Sequence, residues 1–223
     1  MAERTATVIG ATGLIGSHLV TLLSGDGHFT GVRIIARRMP DIVPQGTEVR
    51  VINFEDPEAF MSAIEGSEAV FCAVGTTRKK VKGDMDAYRK VDHDIPVNAA
   101  SHCQQAGCRH YALVSSVGAS SGSANFYLKF KGDAEEAIAG MGIPSVSVFR
   151  PSMLIGKRNE FRLAEEIAKI FAPPLSFLFP ARYRPIKGHT VAQAMIAAAK
   201  REEPGLKVYH FNEMKALIKG GEA

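Results

Sequence analysis

The feature that most constrains this chain is the short apolar run Thr7-Val8-Ile9, which passes directly into Gly10-Ala11-Thr12-Gly13-Leu14-Ile15-Gly16. Glycines spaced three apart follow the run, and Leu19, Val20, Leu22 and Leu23 then form a helical stripe that ends at Gly25-Asp26-Gly27. Strand, tight turn and helix are the reading, and a second strand over residues 32–36 completes a βαβ unit. Glycines in such a turn let the backbone approach a pyrophosphate, which sits on the N-terminus of the following helix. Gly10, Thr12, Gly13, Leu14, Ile15 and Gly16 are therefore the expected contacts on the phosphate side. The second strand ends in Arg37-Arg38 rather than in an acid. A carboxylate there would hold an unphosphorylated ribose 2′-hydroxyl, whereas Arg accommodates a 2′-phosphate, so NADP(H) is the expected cofactor.

Strand and helix patterns alternate through most of the chain. A third strand is expected over 48–54, a short helix over 57–64 and an unbroken apolar strand over 69–74. The basic loop Arg78 to Lys82 follows, then a long helix over 86–106, a strand over 111–115, a helix over 126–139 and a strand over 145–149. This alternation predicts an α/β Rossmann fold, a doubly wound parallel sheet, as a single NAD(P)-binding domain over 1–223. Beyond it a helix is expected over 160–171 and irregular Pro- and aromatic-rich chain over 173–185. An Ala-rich helix over 190–200, a short strand over 208–211 and a last helix complete the chain. Residues from about 151 to 223 read as a small substrate-side lobe, its loops at the carboxyl ends of the strands, where ligands bind in open α/β sheets. Position then puts Phe54 or Glu55 beside an adenine, Ala73, Val74 and Gly75 along the cofactor, and Pro151, Ser152 and Met153 at the nicotinamide.

Composition narrows the field. The 223 residues are 46% hydrophobic, ordinary for a protein with a full core, and no apolar run is long enough to span a bilayer. Met1 to Arg4 is not followed by the apolar core of a signal peptide, and Cys72, Cys103 and Cys108 read as reduced thiols. A cytoplasmic protein without a membrane partner is expected. A net charge of +4 suits anionic small molecules and falls short of what nucleic-acid binding needs. His102, Cys103, Cys108 and His110 lack metal-ligand spacing, so no metal is expected. The basic loop 78–82 is most simply solvated. Its place beside the cofactor edge also admits an anionic substrate, as do Lys157, Arg158, Arg182, Arg184 and Lys187.

Chemistry is carried further along. The fifth strand ends in Ser115-Ser116, and the next helix opens with Tyr127 and Lys131. Residues four apart share a helix face, so hydroxyl and ammonium can approach one point, and a nearby cation favours the phenolate. Tyr127 then serves as acid toward a carbonyl oxygen or base toward an alcohol, with a Ser hydroxyl on the same oxygen. Neighbouring strand residues face opposite ways, so one of the two serines points into the site. Ser116 is preferred as nearer the strand mouth, which leaves Ser115 among the cofactor contacts.

Gly10-x-x-Gly13-x-x-Gly16, Ser116 and Tyr127-x-x-x-Lys131 resemble the short-chain dehydrogenase/reductase superfamily in its extended or atypical branch. Val74-Gly75-Thr76-Thr77-Arg78, Leu113 to Ser116 and Val148-Phe149-Arg150-Pro151 are similar to its Tat-interacting-protein-like group, whose bacterial relatives are described as nucleoside-diphosphate-sugar epimerase-like. The resemblance covers roughly residues 7–200. It implies NADP(H) on a Rossmann sheet, Tyr127 as proton donor or acceptor, and Lys131 on the nicotinamide ribose. It also implies pairing through the long helix 86–106 into a homodimer. The chain departs from the extended sugar-nucleotide enzymes in having Val117 where they often carry the catalytic Ser or Thr, and in lacking most of their substrate domain. Two functions follow: an oxidoreductase acting on a small carbonyl or alcohol, anionic by the basic residues above, or a cofactor-binding regulator acting through a protein partner without turnover.

Overall fold

The computed structural model describes residues 4–156 and 180–220. Its central sheet is parallel, in the order β3-β2-β1-β4-β5-β6-β9. The strands are β1 (Thr5–Ile9), β2 (Gly31–Ala36), β3 (Thr47–Val51), β4 (Ser67–Cys72), β5 (His110–Val114), β6 (Ser145–Phe149) and β9 (Gly205–Tyr209). Strand order reverses between β1 and β4, which is where a doubly wound sheet opens a crevice at its carboxyl edge.

Helices cover both faces. On one face α1 (Leu14–Leu23), α6 (Gly188–Arg201) and α7 (Phe211–Lys219) bury Leu19, Leu23, Met195 and Met214 against Ala6, Val8 and Ile34. On the other α2 (Pro57–Ile64), α4 (Ile95–Gln105) and α5 (Phe126–Ala139) pack Phe60, Cys103 and Ile138 against Ile9, Ile35 and Leu113. Consecutive residues of β1 thus serve opposite cores, as a pleated strand buried on both faces requires. Asp56 caps α2 by accepting the Glu58 and Ala59 N–H groups, and Asn125 caps α5 by accepting that of Leu128.

Several expected boundaries shift. The third strand ends at Val51, and Phe54 instead packs edge-on to Phe60, 4.9 Å between centroids. The fourth ends at Cys72, although the Ala73 N–H still donates to the Ile9 carbonyl at 2.8 Å. The long helix is not uniform: α3 (Met85–Arg89) and α4 are joined by a π-helical turn, Lys90–Asp94. The last strand begins at Gly205 rather than 208 and pairs with β6 as an edge strand. This corrects the picture of a lobe over 151–223, because α6, β9 and α7 belong to the layers of the main sheet. Among the described residues, what remains beside the crevice is a small parallel ribbon of β7 (Leu154–Ile155) and β8 (Ile186–Lys187), with a 3-10 turn, Ala181–Tyr183, ahead of β8. The helix expected over 160–171 lies outside the described residues, as do Lys157, Arg158 and most of 173–185. Among the described residues no helix is long and apolar enough to cross a membrane, and no cluster of metal-ligating side chains is present.

Candidate functional site

A cavity of about 950 Å³ opens at the β1/β4 switch point. Its first wall is the glycine turn. Gly10 has φ +91°, and a Cβ there would lie 2.6 Å from the Ala73 carbonyl oxygen, so this turn needs glycine to sit against the end of β4. The Gly13 N–H donates to the Gly10 carbonyl at 2.8 Å. Among the described residues no side chain caps α1, and no acid lies in its first turn. Its leading N–H groups therefore face the cavity without a side-chain partner, where a pyrophosphate would be received. The backbone cradle and the uncapped helix fit a dinucleotide.

Gly10, Thr12, Gly13, Leu14 and Ile15 line the cavity. Gly16 does not, which corrects its expected role. A Cβ at Gly16 would lie 2.0 Å from the Gly10 carbonyl oxygen, so this glycine allows α1 to begin tight against the turn. Arg37 and Arg38 are exposed on the rim after β2, and Phe54 lines the same end. Glu55 turns outward to Lys90, 2.6 Å away. Ala73, Val74 and Gly75 line the floor, and Pro151, Ser152 and Met153 the far side. There the Ser152 hydroxyl donates to the Arg184 carbonyl at 2.6 Å, and the Ile186 N–H to that of Met153 at 2.9 Å. These bonds fasten the β7–β8 ribbon over the cavity's edge. Of the basic loop, Lys80 reaches the lining. Arg182 instead stacks over Tyr183, 4.9 Å from the ring centroid. Lys187 borders a smaller neighbouring space with His18 and His189.

The second wall brings the chemical groups together. Ser115, Ser116, Tyr127 and Lys131 all line the cavity. Tyr127 is on the first turn of α5, 4% exposed, with its ring edge-on to Tyr88 at 6.5 Å. Lys131, one turn on, donates to the Val114 carbonyl at 3.3 Å and forms an ion pair with Asp92 at 3.1 Å. Burial works against the Lys131 charge, yet Asp92 and Tyr127 beside it hold its pKa above the ordinary lysine value. Gly132 permits this approach: a Cβ there would meet the Ser120 carbonyl carbon at 2.2 Å, so α5 lies directly on the loop that follows Ser116.

The two serines part company. Ser115 continues the face of Tyr111 and Leu113 toward α5, where its hydroxyl donates to Glu135. Glu135 in turn accepts two bonds of 3.1 Å from the Arg150 Nε, and a third from its Nη2. Ser116 has a 3.3 Å bond to the Val117 carbonyl and sits at the strand mouth. Sequence reasoning passed over Asp92, the Glu135–Arg150 pair and the β7–β8 ribbon. A signal for the first stood in the chain: Pro96 inside a helical pattern lies four residues after an acid whose carbonyl would otherwise accept an N–H from that position.

With this geometry in view, the chain matches the family model described as NAD(P)H-binding over residues 10–169. It is similar to "Protein FMP52-1, mitochondrial" of Scheffersomyces stipitis, 32% identical over 96% of this chain and 99% of that protein. It is also similar to "Protein HTATIP2" of Rattus norvegicus, 30% identical over 100% and 91%. Among solved structures, a Thermus thermophilus UDP-glucose 4-epimerase complex with NAD superposes with a TM-score of 0.70 at 19% identity, over 97% of this chain and 81% of that one. MoeE5 in complex with UDP-glucose and NAD gives 0.68 at 18% identity over the same shares. These structures share the fold. The FMP52 relatives from S. stipitis and Debaryomyces hansenii are named as mitochondrial proteins, which overturns the cytoplasmic location expected from the sequence. Few, unpaired cysteines mark a reducing environment and do not single out the cytoplasm. The chain belongs to the NAD(P)H-binding family, in the group that holds the HTATIP2 and FMP52 proteins.

Proposed function

We propose that the protein is an NADP(H)-dependent oxidoreductase acting on a small carbonyl or alcohol substrate. The observation that carries this reading is that Ser116, Tyr127 and Lys131 open onto the same cavity as the uncapped glycine turn. A nicotinamide bound there supplies or accepts hydride, and the protein must then manage the proton. Tyr127 donates its phenolic proton to the substrate oxygen in reduction and recovers one in oxidation. The Ser116 hydroxyl donates a hydrogen bond to the same oxygen and stabilises the charge that develops on it. Lys131 stabilises the phenolate that reduction leaves on Tyr127. Arg37 and Arg38 at the adenine end favour the phosphorylated cofactor, because guanidinium groups bind a 2′-phosphate in bidentate fashion. Lys80 on the lining supports an acidic substituent on the substrate.

Calorimetric titration with NADPH and with NADH tests the cofactor choice. NADPH should bind at least about tenfold more tightly, and replacing both Arg37 and Arg38 by Ala should remove that preference. Equal affinity for both nucleotides in the unaltered protein would overturn it. A panel of aldehydes and ketones, followed by loss of NADPH absorbance, then tests the activity, and no turnover across that panel counts against the enzyme reading.

A further inference from the structure

Lys131 and Asp92 form an almost wholly buried ion pair, their side chains 4% and 1% exposed. An ammonium group buried alone sheds its proton readily, since desolvation lowers lysine pKa values by several units. The groups that face Lys131 come from several elements. Its own helix contributes Tyr127, the end of β4 the Cys72 thiol, which burial keeps protonated, and β5 the Val114 carbonyl. Glu135, one turn further along α5, is held by Ser115 and Arg150. The carboxylate that meets the ammonium is Asp92, from the π turn packed on α5. Its other oxygen accepts the Thr76 N–H at 2.8 Å. Burial pushes the Asp92 carboxyl up, and Lys131 and the Thr76 N–H pull it part of the way back, leaving it above its ordinary range. One oxygen thus accepts a hydrogen bond and the other faces the ammonium, surroundings that suit an ionised, acceptor-only group.

We infer that Asp92 is a positioning residue, which holds Lys131 in place and supplies the negative charge that keeps it an ammonium beside Tyr127. The catalytic consequence rests on the oxidoreductase reading; the ion pair itself does not. Asp92 also fastens the Gly75–Thr76 floor of the cavity to the helix that carries Tyr127 and Lys131. One carboxylate therefore sets both the charge and the distance between the cavity floor and the proton-handling helix.

The test reads the protonation of Lys131 directly, from its 13Cε resonance in protein labelled at lysine Cε and assigned with Lys131→Arg. In the unaltered protein the resonance should remain that of an ammonium up to about pH 10. In Asp92→Asn it should titrate about two units lower or more. Asp92→Glu, which restores the charge, should bring the titration back to within about one unit. A folded Asp92→Asn protein, judged by circular dichroism and cooperative melting, whose Lys131 titrates unchanged overturns the inference. If Asp92→Asn does not fold, Asp92→Ser takes the same measurement, its hydroxyl still able to accept the Thr76 N–H. Neither reading requires turnover, so a failure to reduce any carbonyl would count against the proposed function alone.

Discussion

Tyr127 is the residue whose removal separates chemistry from binding. Its hydroxyl is the group on the second wall that would give a proton to substrate, while its ring packs against Tyr88. Tyr127→Phe keeps the ring and loses the proton. Turnover should fall by about 10²–10⁴-fold, the usual weight of a general acid, while the calorimetric affinity for NADPH stays within about threefold. Comparable activity in the Phe variant would remove Tyr127 from the mechanism. The serines differ in the same way. Ser115 is tied into the buried Glu135–Arg150 network, so its loss would act through packing, whereas Ser116 carries no such tie.

At the scale of elements, the decisive feature is the π turn. In a regular helix residue 96 would donate to the Asp92 carbonyl. Pro96 has no N–H, and in a regular helix its ring would press on that carbonyl. The helix answers by widening one turn early, so that the Ile95 N–H donates to the Lys90 carbonyl, five residues back. Asp92 lies within the widened turn and meets Lys131 from there. Pro96→Ala should let the turn relax to α geometry, since alanine is the best helix former. Turnover should then drop by at least about tenfold, as small misplacements near a reacting centre do, while the melting temperature stays within about 4 °C. A variant with full turnover would show that the widened turn is incidental. The same contrast explains what the sequence made legible. The glycine turn, Arg37-Arg38 and Tyr127-x-x-x-Lys131 are local spacings on a strand, a turn or one helix face, and all but Gly16 line one cavity. Gly16 shares that spacing, but its role depends on which backbone it faces. Asp92, Glu135 and Arg150 have partners on other elements, which no spacing reveals. The two-residue strands β7 and β8 are too short to show any period, and β9 is an exposed edge whose Leu206 and Lys207 blur the alternation.

The sheet as a whole carries a charge cost that appears only in acid. His110 opens β5 at 0% exposure, its Nδ1 against the Ser145 hydroxyl at 2.9 Å and its Nε2 without a partner among the described residues. Burial lowers its pKa to about 4, because a second proton would place an unpaired cation between β4 and β6. The unfolded chain takes that proton near the ordinary histidine value of about 6.5. Between these two values the unfolded state binds more protons, so stability is full above about pH 6.5 and is lost as pH falls toward 4. From pH 7 to pH 5 the loss from this residue alone is about 2 kcal/mol. Asp26 adds to the loss only at lower pH. Burial raises its pKa, but the Lys200 ammonium at 2.5 Å and the His28 N–H lower it further, leaving it below the usual carboxylate range. His18, His102 and His210 are also held below the ordinary histidine value by burial, so the difference between two proteins isolates His110. In urea unfolding at pH 7 and pH 5, His110→Gln, which cannot take the proton, should lose about 2 kcal/mol less than the unaltered protein. Equal losses in the two proteins would mean that the acid sensitivity of the fold lies elsewhere than at the root of β5.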